Sequence, residues 1–442
     1  MSSMVTVVGA GLAGSECALQ LARRGIRVRL IEQRPCHPSP AHHTDGFAEL
    51  VCSNSLKSTK PDSAAGLLKR ELDGMGSYLL DFARQSAVPA GGALAVDRER
   101  FSSLVTDAVC SSPLIDVTRQ EALDIPEGPC VIAAGPLCSE SLFAAVERAV
   151  GEGHMSFYDA AAPIVSADSI DRSVAFSQSR YEEGAGDYLN CPMNRDEYET
   201  FIDALLDAAR VIGRDFEQKD LFCACQPVEE VARTGRDAIR FGALKPVGLT
   251  DPRTGHRPWA AVQLRAETAD ALAYNLVGFQ TNLTWPEQRR VFRMIPGLES
   301  AEFLRYGVMH RNSFVDSPHV LDKTFKIPGT QARLAGQICG TEGYVEAIAS
   351  GLLAALNLYA ELSGLDPVEL PKTTSFGALV SYATDPATKD YQPMHVNFGI
   401  VPPLETHFRD KARRRAELAA RAERDFDAYL DARPELFPIS EQ

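Results

Sequence analysis

Two kinds of residue in this chain could do chemistry: a glycine turn able to hold phosphates with its backbone, and a scatter of cysteines able to supply thiolates. The turn is Val5-Thr6-Val7-Val8-Gly9-Ala10-Gly11-Leu12-Ala13-Gly14. An apolar β run feeds into G-x-G-x-x-G, after which Cys17, Ala18, Leu21 and Ala22 recur at helical spacing as far as Gly25. In that setting Gly9 gives the tight turn, with Ala10 beside it. Gly11 lets the backbone approach a pyrophosphate, Gly14 lets helix pack on strand, and the helix N-terminus offers free N–H groups. A second strand, 28–31, ends at Glu32, where an acid binds adenosine ribose hydroxyls. A carboxylate there repels a 2′-phosphate, which favours FAD or NAD over NADP, with Arg34 nearby as an opposing charge.

A thiol becomes reactive in polar or electropositive surroundings and stays inert in apolar ones. Cys17, Cys110, Cys130 and Cys138 sit in apolar helix or strand contexts. Cys52 is flanked by Ser53, Asn54 and Lys57, and Cys225 follows a polar stretch and precedes Pro227, with Cys223 as a competing thiol two residues away. The ten cysteines form no C-x-x-C pair and no Cys/His spacing of a zinc site, so neither a disulfide framework nor a metal is expected.

The elements that must position these groups read as an α/β chain. At 442 residues two domains are expected. Pro, His, Ser and Lys break any period across 35–65, and 129–136 reads as a buried parallel strand ending in a Gly-Pro turn. The character changes near 190, giving a first FAD-binding part at 1–189, an inserted domain at 190–304 and a second FAD-binding part at 305–442. A strand, glycine turn and long apolar helix at 332–360 is how many flavoproteins close over the flavin, the first feature favouring FAD over free NAD. The net charge of −14 argues against a generally nucleic-acid-coated surface but permits a local basic face. No apolar run looks long enough to cross a bilayer and no leader is evident, so a cytoplasmic protein without membrane association is expected.

Several motifs together resemble one family. They are the glycine turn, Cys52-Ser53-Asn54-Ser55-Leu56-Lys57-Ser58, Tyr188-Leu189-Asn190-Cys191-Pro192-Met193, Cys225-Gln226-Pro227-Val228-Glu229 and Leu244-Lys245-Pro246-Val247-Gly248-Leu249, followed by Met309-His310-Arg311-Asn312-Ser313-Phe314, Gly336-Gln337 with Gly343-Tyr344-Val345-Glu346, and 392–399. The chain resembles the folate- and FAD-dependent tRNA uracil-5 methyltransferases, the TrmFO family, over nearly its whole length. The resemblance implies a glutathione-reductase-like FAD-binding domain with a Rossmann-type parallel sheet, interrupted by a smaller α+β insertion. It implies a flavoprotein that takes a one-carbon unit from 5,10-methylenetetrahydrofolate onto flavin N5. From there the unit passes to C5 of the T-loop uridine, position 54 of tRNA, with NADH or NADPH as reductant.

By the same resemblance Cys225 is the nucleophile that adds to uracil C6, and Cys52 is the second catalytic thiol. Ala224 stands where the family has glycine. Gly135, Gly336, Gln337, Gly340, Gly343, Tyr344 and Val345 are expected around the flavin, with Tyr344 able to stack on a ring. His310, Arg311, Asn312 and Lys245 are candidates for folate and substrate. Arg289 and Arg290, with Arg413, Arg414 and Arg415, are candidates for RNA phosphates. Partners are then tRNA and folate, with no obligate protein partner evident. Alternatives are the same chemistry on a uridine of 23S rRNA, and an NAD(P)H-dependent flavin oxidoreductase without RNA. A third is the related flavoprotein that modifies wobble uridines with a GTPase, whose greater length argues against it.

Overall fold

The structure is a computed structural model describing residues 4–39, 41–151, 154–160, 162–181, 186–211, 226–267, 271–307, 309–388, 391 and 393–437, the side chains of 154–160 and 309–313 excepted. Two sheets organise it. The first has five strands in the order Ala332–Leu334, Cys130–Ile132, Val5–Val8, Val28–Glu32 and Ile115–Arg119, every neighbouring pair parallel. Val5–Val8 is central and fully buried, which is why it reads as an unbroken apolar run.

Two helices lie together on this sheet, Leu12–Arg23 and Tyr344–Ser363. They pack tightly because a Cβ on Gly351 would stand 2.1 Å from the Ala13 carbonyl oxygen. Tyr344–Ser363 has the length and composition to cross a membrane, which the sequence reading did not anticipate, but 78% of its apolar stretch is buried in the protein core. That burial against the glycine-turn helix accounts for its hydrophobicity.

The second sheet has six strands in the order Phe176–Ser177, Tyr188–Met193, Ala260–Ala266, Ala273–Leu276, Ile164–Ser166 and Phe303–Arg305, paired antiparallel. Its own core gathers residues from Ala162 to Phe303, centred on Tyr198, Phe201, Phe279 and Phe292, and so takes in chain upstream of residue 190. Phe279 meets Phe292 edge-on at 5.4 Å, a geometry worth about 0.5–1.5 kcal/mol beyond area burial. The antiparallel ribbon of His154–Ala160 with Met309–Val315 carries the chain between the two bodies in both directions. A three-stranded sheet, Ser55–Ser58, Ala93–Val96 and Ala87–Val88, extends from the Cys52 loop.

The C-terminal helix Lys411–Asp431 is capped by the Asp410 carboxylate and lies on Ala64–Gly74 through Ala419, Ala422 and Phe426, while Leu418 packs with Ala378 and Val401. Arg70 ties the pair by ion pairs to Glu423 and Asp427. The partner helix Ala64–Gly74 is followed by a second, Tyr78–Gln85, the chain turning between them at Gly76 with φ +73°.

Candidate active site

The glycine turn and the late helix open onto one cavity of about 400 Å³. Gly9 has φ +95°, a region that favours glycine, and a Cβ on it would stand 2.5 Å from the Ala133 carbonyl oxygen. A Cβ on Gly14 would stand 1.7 Å from the Gly9 carbonyl oxygen, so this glycine sets the closeness of strand and helix. Gly11 differs: a Cβ there would meet no protein atom within 4 Å, and the residue lies on the cavity wall. Its bareness serves whatever fills the cavity. Gly135, Gly336, Gln337, Gly343 and Tyr344 line the same wall, and the helix starting at Tyr344 presents its N-terminal end there, as does the one starting at Leu12. Two helix N-termini and a bare glycine backbone fit a bound dinucleotide.

Glu32 lines the cavity beside them. Its carboxylate accepts the Ala10 N–H at 2.8 Å and both the backbone N–H and the Nε of Arg34 at 3.0 Å. Burial works to raise its pKa, but Arg34 and the two amide donors outweigh it and hold the carboxyl below its ordinary range. Arg34 is itself spent: it also ion-pairs with Glu49 at 3.0 Å and donates to the Thr44 carbonyl. It therefore offers no open fork for a 2′-phosphate.

Cys52 also lines the cavity, half-buried, with Ser53, Ser55 and Lys57 beside it. The Tyr344 hydroxyl accepts the N–H of Cys52 at 2.9 Å and that of Ser53 at 3.2 Å, and lies 2.9 Å from Cys52 Sγ. An oxygen that accepts twice has spent its lone pairs, so its own proton points at the sulfur. Burial, then the neighbouring thiol, push the phenol well above its ordinary pKa, so that proton is retained.

The loop is also gripped from the second body. Arg265 donates through Nε to Asn54 Oδ1 and through Nη2 to Ser53 Oγ, both at 2.7 Å, while Asn54 Nδ2 donates to the carbonyls of Val96 and Ala266. Arg98 donates to the Leu50 carbonyl at 2.7 Å and ion-pairs with Glu267. Arg305, with Nε and Nη2 buried and without hydrogen-bond partners, counts Arg98, Tyr344, Cys52 and Glu267 as charge neighbours. Three guanidinium groups, Arg98, Arg265 and Arg305, thus gather with the single carboxylate of Glu267 behind the Cys52 loop.

Other expected site residues lie elsewhere. Ala10 and Val345 are buried in the core, and a Cβ on Gly340 would run into the Tyr391 hydroxyl. Cys223 and Cys225 fall outside the described residues. For His310, Arg311 and Asn312 the backbone is described, opposite Asp159, Tyr158 and Phe157 in the connecting ribbon, but their side chains are not. Lys245 sits 6.0 Å from the Tyr181 ring. Arg290 is neutralised by Glu287, while among the described residues Arg289 donates only to the Tyr306 hydroxyl. Arg413 covers Phe408 and lies with exposed Arg414 and Arg415 on the other body, in the first turns of the C-terminal helix.

Sequence reasoning missed Arg34, Arg98, Arg265 and Arg305 as site residues. It also missed Lys57, ion-paired at 3.0 Å with buried Glu346, and His395 on the cavity wall. Lys57 and His395 lay inside motifs already singled out. Arg34, two residues from its ion-pair partner Glu32, was read only as an opposing charge, and Arg98 and Arg265 carried no signal because their partners are distant in sequence. Among the described residues no His/Cys/Asp/Glu cluster could hold a metal.

The strand, glycine turn, acid and paired helix N-termini define a dinucleotide-binding α/β protein. Residues 4–366 match the family described as glucose inhibited division protein A. The fold is similar to that of crystalline Aquifex aeolicus GidA, with a TM-score of 0.71 at 17% identity, covering 99% of this chain and 74% of that one. Similarity in sequence is much higher to the methylenetetrahydrofolate–tRNA-(uracil-5-)-methyltransferases TrmFO. It is 53% identical to that of Geobacter sulfurreducens over 433 residues, 97% of this chain and 99% of the relative. It is 48% identical to that of Listeria innocua over 423 residues, 96% and 98% respectively. The chain belongs to the glucose inhibited division protein A family and, within it, to the TrmFO family.

Proposed function

We propose that this protein is a tRNA uracil-5 methyltransferase that draws its one-carbon unit from methylenetetrahydrofolate and works in the cytoplasm on the T-loop uridine. The observation that carries this reading beyond family membership is a thiol, Cys52, on the wall of the glycine-turn cavity with the Tyr344 hydroxyl 2.9 Å from its sulfur. Uracil C5 is a poor nucleophile until something adds at C6, and a thiolate makes that addition reversibly. Cys225 takes that role: its sulfur bonds to C6, the C5 enolate forms its bond to the one-carbon unit, loss of the C5 proton breaks the bond between that unit and its carrier to leave an exocyclic methylene, and hydride addition to the methylene expels the sulfur from C6. Cys52 is the acceptor of that proton, with Tyr344 hydrogen-bonding its thiolate form. Gly11 and Glu32 seat the adenosine half of FAD. When bound, FAD supplies the carrier position for the one-carbon unit and the hydride that completes the methyl group, its electrons coming from NADH or NADPH. His310, Arg311, Asn312 and Lys245 bind folate and substrate. A target base buried in a folded T-loop has to be turned out of its stack to reach this cavity.

The test is methyl transfer from labelled methylenetetrahydrofolate, with NADH or NADPH, to unmodified tRNA and to 23S rRNA. Label in T-loop 5-methyluridine is expected, and label in rRNA alone would overturn the tRNA reading. Cys225→Ala and Cys52→Ala should keep FAD, seen in the visible spectrum, and lose methyl transfer. Full activity of Cys225→Ala would remove it as the nucleophile.

A further inference from the structure

We infer that the second body carries a base-stacking platform, Trp285 over Tyr306 over Phe303, which receives an unpaired nucleobase of the RNA beside the catalytic cavity. The inference rests on RNA being the substrate. Trp285 and Tyr306 are stacked at 5.4 Å with planes 14° apart, and Tyr306 and Phe303 at 5.2 Å and 12°. The ladder does not end in the core. Trp285 is 59% exposed and Leu304, next to Phe303, 56% exposed, an expensive arrangement for a chain that has only two tryptophans.

The rigidity of the outer ring is built in. Trp285 is the first residue of the helix Trp285–Phe292, followed by Pro286, and it backs onto Tyr306, whose hydroxyl is fixed by two donors of Arg289 at 3.0 and 2.6 Å. A pre-organised aromatic face loses little freedom on binding. Every base has a π-face, so such a ring takes an unpaired base of any identity.

Charge selects the occupant. Among the described residues Arg289 meets no carboxylate, so its positive charge stands beside the stack, as a phosphate neighbouring a stacked base requires. A second copy of this chain is disfavoured, since each carries a net charge of −14. Position adds to this. Phe303 and Arg305 belong to one strand and Tyr306 follows, while Arg305 has Cys52 and Tyr344 as charge neighbours. The strand that carries the inner ring of the platform thus also carries a guanidinium into the electrostatic neighbourhood of Cys52 and Tyr344, which line the cavity.

The test compares binding of an unmodified tRNA transcript to the FAD-loaded enzyme and its Trp285→Ala, Trp285→Phe and Trp285→Tyr variants, with FAD absorbance and melting temperature as folding controls. Trp285→Ala should weaken tRNA binding roughly 5- to 150-fold, the span of one base–aromatic stack. The Phe and Tyr variants should recover much of it. In a Trp259→Phe background, where Trp285 is the only indole, tRNA should quench the emission. Unchanged affinity for Trp285→Ala, or no quenching while the enzyme methylates tRNA, would overturn the platform and leave the proposed function standing. A change of oligomeric state in Trp285→Ala with tRNA affinity intact would assign the patch to self-association instead, and so overturn the inference. Failure of the unaltered enzyme to bind or methylate any tRNA would remove the substrate reading itself.

Discussion

Arg265→Ala tests whether the second body holds the catalytic loop in place. Arg265 is buried, and its guanidinium spans Ser53 and Asn54, the two residues after Cys52, with two bonds of 2.7 Å. Each charge-assisted bond contributes about 1.5–3 kcal/mol, and cutting both strands Asn54 Oδ1 and Ser53 Oγ. Against this, burial disfavours the charged guanidinium, as its lowered pKa records, and removing it recovers that cost. The net loss should be about 2–4 kcal/mol of stability. A thiol displaced by an ångström should cost on the order of 10²-fold in methyl transfer. The assay pairs thermal melting with single-turnover methyl transfer on the FAD-loaded variant. Because Gly11 and Glu32 do not touch Arg265, FAD should stay bound. Arg265→Lys should recover only part of the rate, since one ammonium cannot reproduce the fork to both oxygens. Wild-type single-turnover rates in Arg265→Ala would refute the reasoning, as would a full rescue by lysine.

Gly11→Ala should fold with a normal melting temperature but lose visible flavin absorbance, because its Cβ meets no protein atom, whereas Gly14→Ala should fail to fold, its Cβ 1.7 Å from the Gly9 carbonyl oxygen; circular dichroism and the visible spectrum separate the two. Arg305→Leu should leave melting unchanged or raise it by relieving buried unpaired N–H groups, while methyl transfer falls about tenfold or more; a parallel loss of both would show that Arg305 is structural. Glu32 has its carboxyl held down in the fold, so its stabilisation is full above the unfolded value of about 4.3 and is lost as pH falls through the lower folded value; Glu32→Gln should flatten the melting profile on that acid side only. Glu71 and Glu229 behave oppositely: burial pushes each up to about 7, so the folded state holds their protons more tightly and stability declines as pH rises from about 4.3 to 7. Melting temperature against pH should lose that decline in Glu71→Gln and Glu229→Gln.

What could be read in advance followed the range of the interaction. The glycine turn was legible because strand, turn, helix and ribose-binding acid are all local, and Gly9 and Gly14 do what their spacing said. The parallel sheet followed from apolar runs at 5–8, 28–31 and 129–136. The place of Glu32 at a strand end beside the glycine turn was readable, but not that Arg34 two residues on would be its ion-pair partner, since a positive charge there reads equally as a phosphate receptor. Tyr344 was expected at the flavin as a stacking ring. Its hydroxyl proved to hold the Cys52–Ser53 backbone 291 and 292 residues away in sequence, a pairing no periodicity encodes. Arg265 was hidden for the same reason, facing into a buried position on a strand that reads as apolar. The unread part is therefore one kind of thing: buried polar groups whose partners come from the other body. These fix the Cys52 loop between a helix of the first body and a strand of the second. A displacement of one body against the other would strain these buried bonds and, through them, the position of the thiol.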